Sequence, residues 1–210
     1  MANFTMLRLN ILYSIQKNSR NWPLLLAFAM ALLLSGDYMA KKITENFTME
    51  EMFRSETAER RRIDNRPTPE IEANLEHLVK NVLQPLRDHF GVPIRVTSGY
   101  RSPALNKAIG GSSSSWHSHG CAADIQIPSG KVSLKTVFEY IYHNLPYTEL
   151  IAEGIDRNGR VSWVHVALVK GREAKNNLDP AGRLCTKYMM NSNGAVYRGT
   201  FDKIKGLMKS

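Results

Sequence analysis

The chain has 210 residues, of which 43% are hydrophobic and 22% charged, enough for one domain with a real core and short for two. This composition excludes wholesale disorder, and two cysteines, Cys121 and Cys185, are too few for a disulfide framework. The net charge of +9 suits a soluble basic protein or contact with anionic lipid or wall polymer; nucleic acid is not expected, because no compact basic block alternates with exposed aromatics.

Residues 1–38 differ from the rest. Pro23 to Ser35 is a continuous apolar run preceded by Lys17, Arg20 and Trp22. It is shorter than the ~20 residues of a membrane span and suits the core of a signal peptide, so membrane contact is expected only in transit. Two readings fit. One is a signal, although Gly36-Asp37-Tyr38-Met39-Ala40 is a poor cleavage site; the other is an over-extended translation start, since Met39-Ala40-Lys41-Lys42 reads as an ordinary beginning. The first implies the cell wall, periplasm or medium, the second the cytoplasm of a bacterial host. In both, the working unit begins near residue 39.

Phe47 to Phe53 opens a helix, with Thr48 as N-cap and Glu51 completing a capping box. The charged stretch Glu59 to Arg66 reads as a solvated connector, and Pro67 and Pro69 precede a second helix. In it Ile71, Leu75, Leu78, Val79, Val82, Leu83 and Leu86 recur at helical spacing and form a core stripe, with Pro85 as a candidate kink. Ile94 to Ser98 alternates like a strand; Gly99 then turns the chain toward a short helix capped by Ser102 with Pro103 at its first position.

The loop Gly110 to Ser115 delivers the most informative stretch, Ser115-Trp116-His117-Ser118-His119-Gly120-Cys121-Ala122-Ala123-Asp124. A strand is expected from Asp124 to Pro128, a helix carrying Leu134, Val137, Phe138, Ile141 and Tyr142, and paired strands at Glu149–Ala152 and Val161–Ala167 around the turn Asp156–Gly159. Beyond Lys170, Tyr188-Met189-Met190 and Ala195-Val196-Tyr197 flank Asn191-Ser192-Asn193-Gly194, a hairpin signal. This basic tail extends the sheet or walls a cleft. Strands mixed with segregated helices predict an α+β domain with a small, largely antiparallel sheet.

His117 and Asp124 carry imidazole and carboxylate, a donor pair suited to zinc, and His165 in Trp163-Val164-His165-Val166 is a candidate third ligand. Three protein ligands leave one position open, the pattern of a catalytic zinc site. Together with Ser98-Gly99-Tyr100-Arg101-Ser102 and Asn106, in this order, these motifs resemble the M15-like zinc D-alanyl-D-alanine carboxypeptidase family. That family includes phage L-alanyl-D-glutamate endolysins, and its fold is shared with hedgehog signalling domains. The resemblance spans roughly Phe47 to Ala167 and divides the chain into an N-terminal segment (1–38), a zinc peptidase domain (39–169) and a basic extension (170–210).

The resemblance implies Zn2+ bound by His117, Asp124 and His165, with His119 and Cys121 as non-ligands. It puts Arg101 at the site, holding substrate or stabilising the oxyanion, a role its forked guanidinium suits. A metallopeptidase also needs a general base. Some family members place an acidic residue three before the last His ligand, where this chain has Ser162. Glu153 is the best substitute, Glu149 a weaker one. Ser115 and Trp163 are expected to bind substrate, with Trp116 a further candidate wall. Covalent catalysis by Ser98, Ser115 or Cys121 is not expected, because no nucleophile-elbow text surrounds them.

The expected function is hydrolysis of peptidoglycan stem peptides next to a D-amino acid by metal-activated water, in a monomer of phage, prophage or bacterial origin. The alternative is a non-catalytic wall-binding or structural module that keeps the zinc fold.

Overall fold

A computed structural model of the protein describes residues 41–156, 158–174 and 208, and the backbone of Thr186–Met190 and Val196–Arg198. The chain divides into two units, Met1–Lys41 and Lys42–Ser210; the described elements belong to the second. The apolar run at residues 23–35 and Cys185 lie outside the described residues. No helix among the described residues is long and apolar enough to cross a membrane.

Helix α1 (Met49–Phe53) starts as its sequence predicts. The Thr48 side chain accepts from the Glu51 amide, and the Glu51 carboxylate accepts from the Thr48 amide at 2.7 Å. A break at Arg54 and Ser55 separates it from α2 (Glu56–Arg61), which Ser55 caps. Thr68 caps α3 (Pro69–Leu78). The same helix then winds as a π-helical segment over Val79–Leu83 and resumes as α4 (Gln84–Phe90). This wider turn ends two residues before Pro85, which has no N–H to continue the ladder and whose ring crowds the turn before it. The expected stripe is the core face: Leu75, Leu78, Val79, Val82, Leu83 and Leu86 are all fully buried.

The sheet runs in the order β1-β2-β4-β3-β5-β6, with β1 Arg95–Ser98, β2 Ala122–Gln126, β3 Glu149–Ile155, β4 Trp163–Ala167, β5 Thr186–Met190 and β6 Val196–Arg198. The first four strands pair antiparallel. The tail extends the sheet, with β5 parallel to β3 and β6 antiparallel to β5. Strand boundaries shift by a few residues. β2 runs from Ala122 to Gln126, which puts Asp124 in mid-strand, β3 runs on past Glu153 to Ile155, and β4 begins at Trp163.

Register decides what each face carries, because residues directly opposite share a face and successive residues alternate. Leu150, Val166 and Ala123 line up across one face, as do Ala152, Val164 and Ile125. All six are fully buried and belong to the core with α3, α4 and α6 (Leu134–Asn144), whose Val137, Phe138 and Ile141 point inward. On the opposite face Ser98, Asp124, His165 and Ile151 align. Two positions from Ile151 on that same face come Glu149 and Glu153, and two from His165 comes Trp163. One face is grease; the other carries the chemistry.

Candidate metal centre

His117 reaches this polar face from outside the sheet. It sits in a 3-10 turn, Trp116–His119, between α5 (Pro103–Ala108) and β2. Asn106 fixes the preceding loop, donating from Nδ2 to the Ser112 carbonyl at 2.8 Å, while its own carbonyl accepts from Gly111. Gly120 ends the turn at φ +66, where a Cβ would stand 2.8 Å from Ile71 Cγ2 and 2.9 Å from the Ile71 carbonyl oxygen. Only glycine lets the turn lie this close to α3.

Three buried donor atoms converge. His117 Nε2 lies 3.2 Å from both His165 Nδ1 and Asp124 Oδ1, and His165 Nδ1 lies 2.9 Å from Asp124 Oδ1. The residues are 2%, 6% and 8% exposed for His117, His165 and Asp124, too buried for two imidazoles and a carboxylate to be a solvated surface group. Zinc takes nitrogen and oxygen ligands at ~2.0–2.2 Å in a tetrahedron, whose edges are then about 3.3–3.5 Å. The observed triangle is only slightly tighter, so the donor set fits such an ion with a fourth vertex left over. Among the described residues these three form the group able to hold a metal.

The surroundings orient each donor. His117 Nδ1 lies 2.6 Å from the Gly99 carbonyl oxygen; an N–H there leaves Nε2 with a lone pair toward the cluster. Gly99 must be glycine, because a Cβ would meet the Met52 carbonyl oxygen at 2.1 Å. Arg101 Nη2 donates to Asp124 Oδ2 at 2.8 Å and its Nε donates to Ser98 Oγ at 2.8 Å. That bond occupies one carboxylate oxygen and leaves Oδ1 for the cluster.

Electrostatics follow from burial and neighbours. Burial alone would push the Asp124 carboxyl up, but His117 and His165 hold it well below the ordinary carboxylate range. Burial pushes the His117 imidazole down against the pull of Asp124. For His165 burial also acts downward, yet Asp124 and Glu149 raise it to about 9.

Glu153 stands opposite Trp163 on the polar face, half-buried, and burial pushes its carboxyl above the ordinary value against the opposing pull of His165, the Trp163 side chain and Arg101. Glu149 Oε1 is 3.5 Å from His165 Nε2. Ser115 precedes the 3-10 turn and is half-buried. Trp116 is half-buried, with the Arg172 guanidinium 5.3 Å from its ring centroid. His119 is exposed, its backbone carbonyl accepting from Asn74, and it does not join the cluster. Cys121 is a buried free thiol.

Sequence reasoning missed Asn65, which it placed in a solvated connector. Asn65 is buried; its Nδ2 donates to the Phe53 and Tyr100 carbonyls at 2.5 and 3.1 Å, and its Oδ1 accepts from the Ser102 amide at 2.7 Å. It thus staples the Gly99–Ser102 turn that presents Arg101. An asparagine just before an X-Pro step, inside a charged run, was the available signal.

The sequence profile described as Peptidase M15 matches residues 45–167, more than half of the chain. The chain belongs to the peptidase M15 family. It is therefore a member of a family of zinc-dependent metallopeptidases, hydrolases of peptide bonds, and its α+β fold agrees with that assignment. A search of curated proteins finds no match.

Proposed function

We propose that this M15 peptidase is a zinc enzyme that hydrolyses peptidoglycan stem peptides at an amide next to a D-amino acid. The observation that carries the reading is the buried triangle of His117 Nε2, Asp124 Oδ1 and His165 Nδ1, with Glu153 on the same sheet face and outside the triangle. His117, Asp124 and His165 hold the metal. A bound zinc supplies Lewis acidity, polarising the scissile carbonyl and easing deprotonation of water.

Glu153 takes the proton from water and returns it to the leaving amine. Its burial raises its affinity for that proton, which suits a group that must both accept and give it. Arg101 spends its Nε–H on Ser98 and one N–H of Nη2 on Asp124, which leaves three of its five N–H donors, two on Nη1 and one on Nη2, for a substrate carboxylate or the developing oxyanion. Ser115 and Trp163 flank the substrate. The wall peptide follows from the motif resemblance and suits the basic character of the chain.

The test is Glu153→Gln. The variant retains zinc while hydrolysis of muropeptides falls by about 10²–10⁴-fold, and product masses from the parent protein identify the bond. Wild-type turnover by Glu153→Gln, with zinc bound, would remove Glu153 from the reaction.

A further inference from the structure

Resting on the metal site just proposed, we infer that Glu149 is a positioning residue that sets which nitrogen of His165 faces the metal. The two histidines use different atoms. His117 presents Nε2, whereas His165 presents Nδ1, 2.9 Å from Asp124 Oδ1 and 3.2 Å from His117 Nε2. The ring nitrogens of an imidazole point away from each other, so His165 Nε2 faces away from the triangle. There it is buried, with no closed hydrogen bond to any protein atom, and a buried polar atom of this kind needs compensation. Glu149 Oε1 stands 3.5 Å away, an ion-pair distance.

The sheet explains how Glu149 comes to lie behind the ring. β3 pairs with β4 so that Ile151 is opposite His165 and Glu149 opposite Ala167. Glu149 therefore lies on the His165 face one side-chain step further along. Its direct partner is a methyl group, which leaves the space beside it to the imidazole. Glu153, one step the other way, lies toward Trp163.

The arrangement gives each ligating histidine its own backing acceptor. For His117 it is the neutral Gly99 carbonyl at 2.6 Å; for His165 it is a carboxylate, which both orients the ring and raises its basicity toward a metal. It also separates the two glutamates the sequence left as rival bases. Glu149 stands at Nε2 of His165, the ring nitrogen away from the donor triangle, where it backs a ligand. Glu153 is not behind a ligand.

Zinc affinity, measured by competition with a chelating dye, and the visible spectrum of the cobalt-substituted protein test this. Both read the ligand field directly and do not depend on turnover. Glu149→Ala is expected to weaken zinc binding by about 10–100-fold and to shift the cobalt bands. Glu149→Gln, whose amide oxygen still accepts from Nε2–H, recovers part of the affinity and leaves a several-fold loss with a smaller shift. Wild-type affinity and an unchanged cobalt spectrum in Glu149→Ala would overturn the inference. If the alanine variant does not fold, the same identity in Glu149→Gln overturns it. Glu149→Gln that keeps both signals yet loses hydrolysis also overturns it, since that is how a general base behaves. A parent protein that takes up no zinc overturns the metal reading first, whatever Glu149 does.

Discussion

Asp124 is gripped from both sides: Arg101 takes Oδ2, and the two imidazoles approach Oδ1. A carboxylate this buried survives only when charge and hydrogen bonds offset the loss of water. Three residues away Cys121 has no such help, and burial pushes its thiol up to about 11. Thiolate is the reactive form, with an ordinary thiol near 8.5. At pH 8 alkylation of Cys121 in the folded protein is therefore expected to be on the order of a hundredfold slower than in urea, followed by mass spectrometry of the Cys121 peptide. Equal rates in the two states would show the thiol to be solvated. At this scale the three donors were legible, because His, Asp and His stood in recognisable motif contexts. Their backing groups were not. The Gly99 carbonyl and the Glu149 carboxylate reach the imidazoles through sheet register and loop closure, which local sequence does not encode.

The elements show the same division. The capping box at Thr48, the α3–α4 core stripe and the Ser102 cap are short-range patterns, and all three form as read. The π-helical segment ahead of Pro85 and the earlier start of β2 depend on packing around them. Asn65 is the sharpest case: its type predicts a turn, while its role joins the end of α1, the β1–α5 turn and the α5 cap. Asn65→Ala strands two carbonyls and one amide, at roughly 1–3 kcal/mol for a buried group left unsatisfied. A loss of about 2–4 kcal/mol in urea unfolding is expected, along with weaker hydrolysis, since Arg101 loses its mooring. A change under about 0.5 kcal/mol, the range of a surface substitution, would mean the turn holds itself.

For the whole molecule, the decisive feature is a sheet with two unlike faces. Alternation along β2, β3 and β4 sends Ala123, Ile125, Leu150, Ala152, Val164 and Val166 into the core and gathers Asp124, Glu149, Glu153, Trp163 and His165 on the other side. α+β architecture and the antiparallel centre were legible from this alternation. The parallel pairing of β5 with β3 was not, because a hairpin signal fixes the partner of β6 but not the edge on which the hairpin docks. The central claim is that the polar face is a zinc peptidase site for wall peptides. Its most direct test is digestion of purified peptidoglycan by the full chain, with and without a chelator, read by mass spectrometry beside a measured zinc content. The account predicts fragments with a new terminus next to a D-amino acid, abolished by the chelator and restored by zinc. Intact wall from protein with zinc confirmed in place would contradict it.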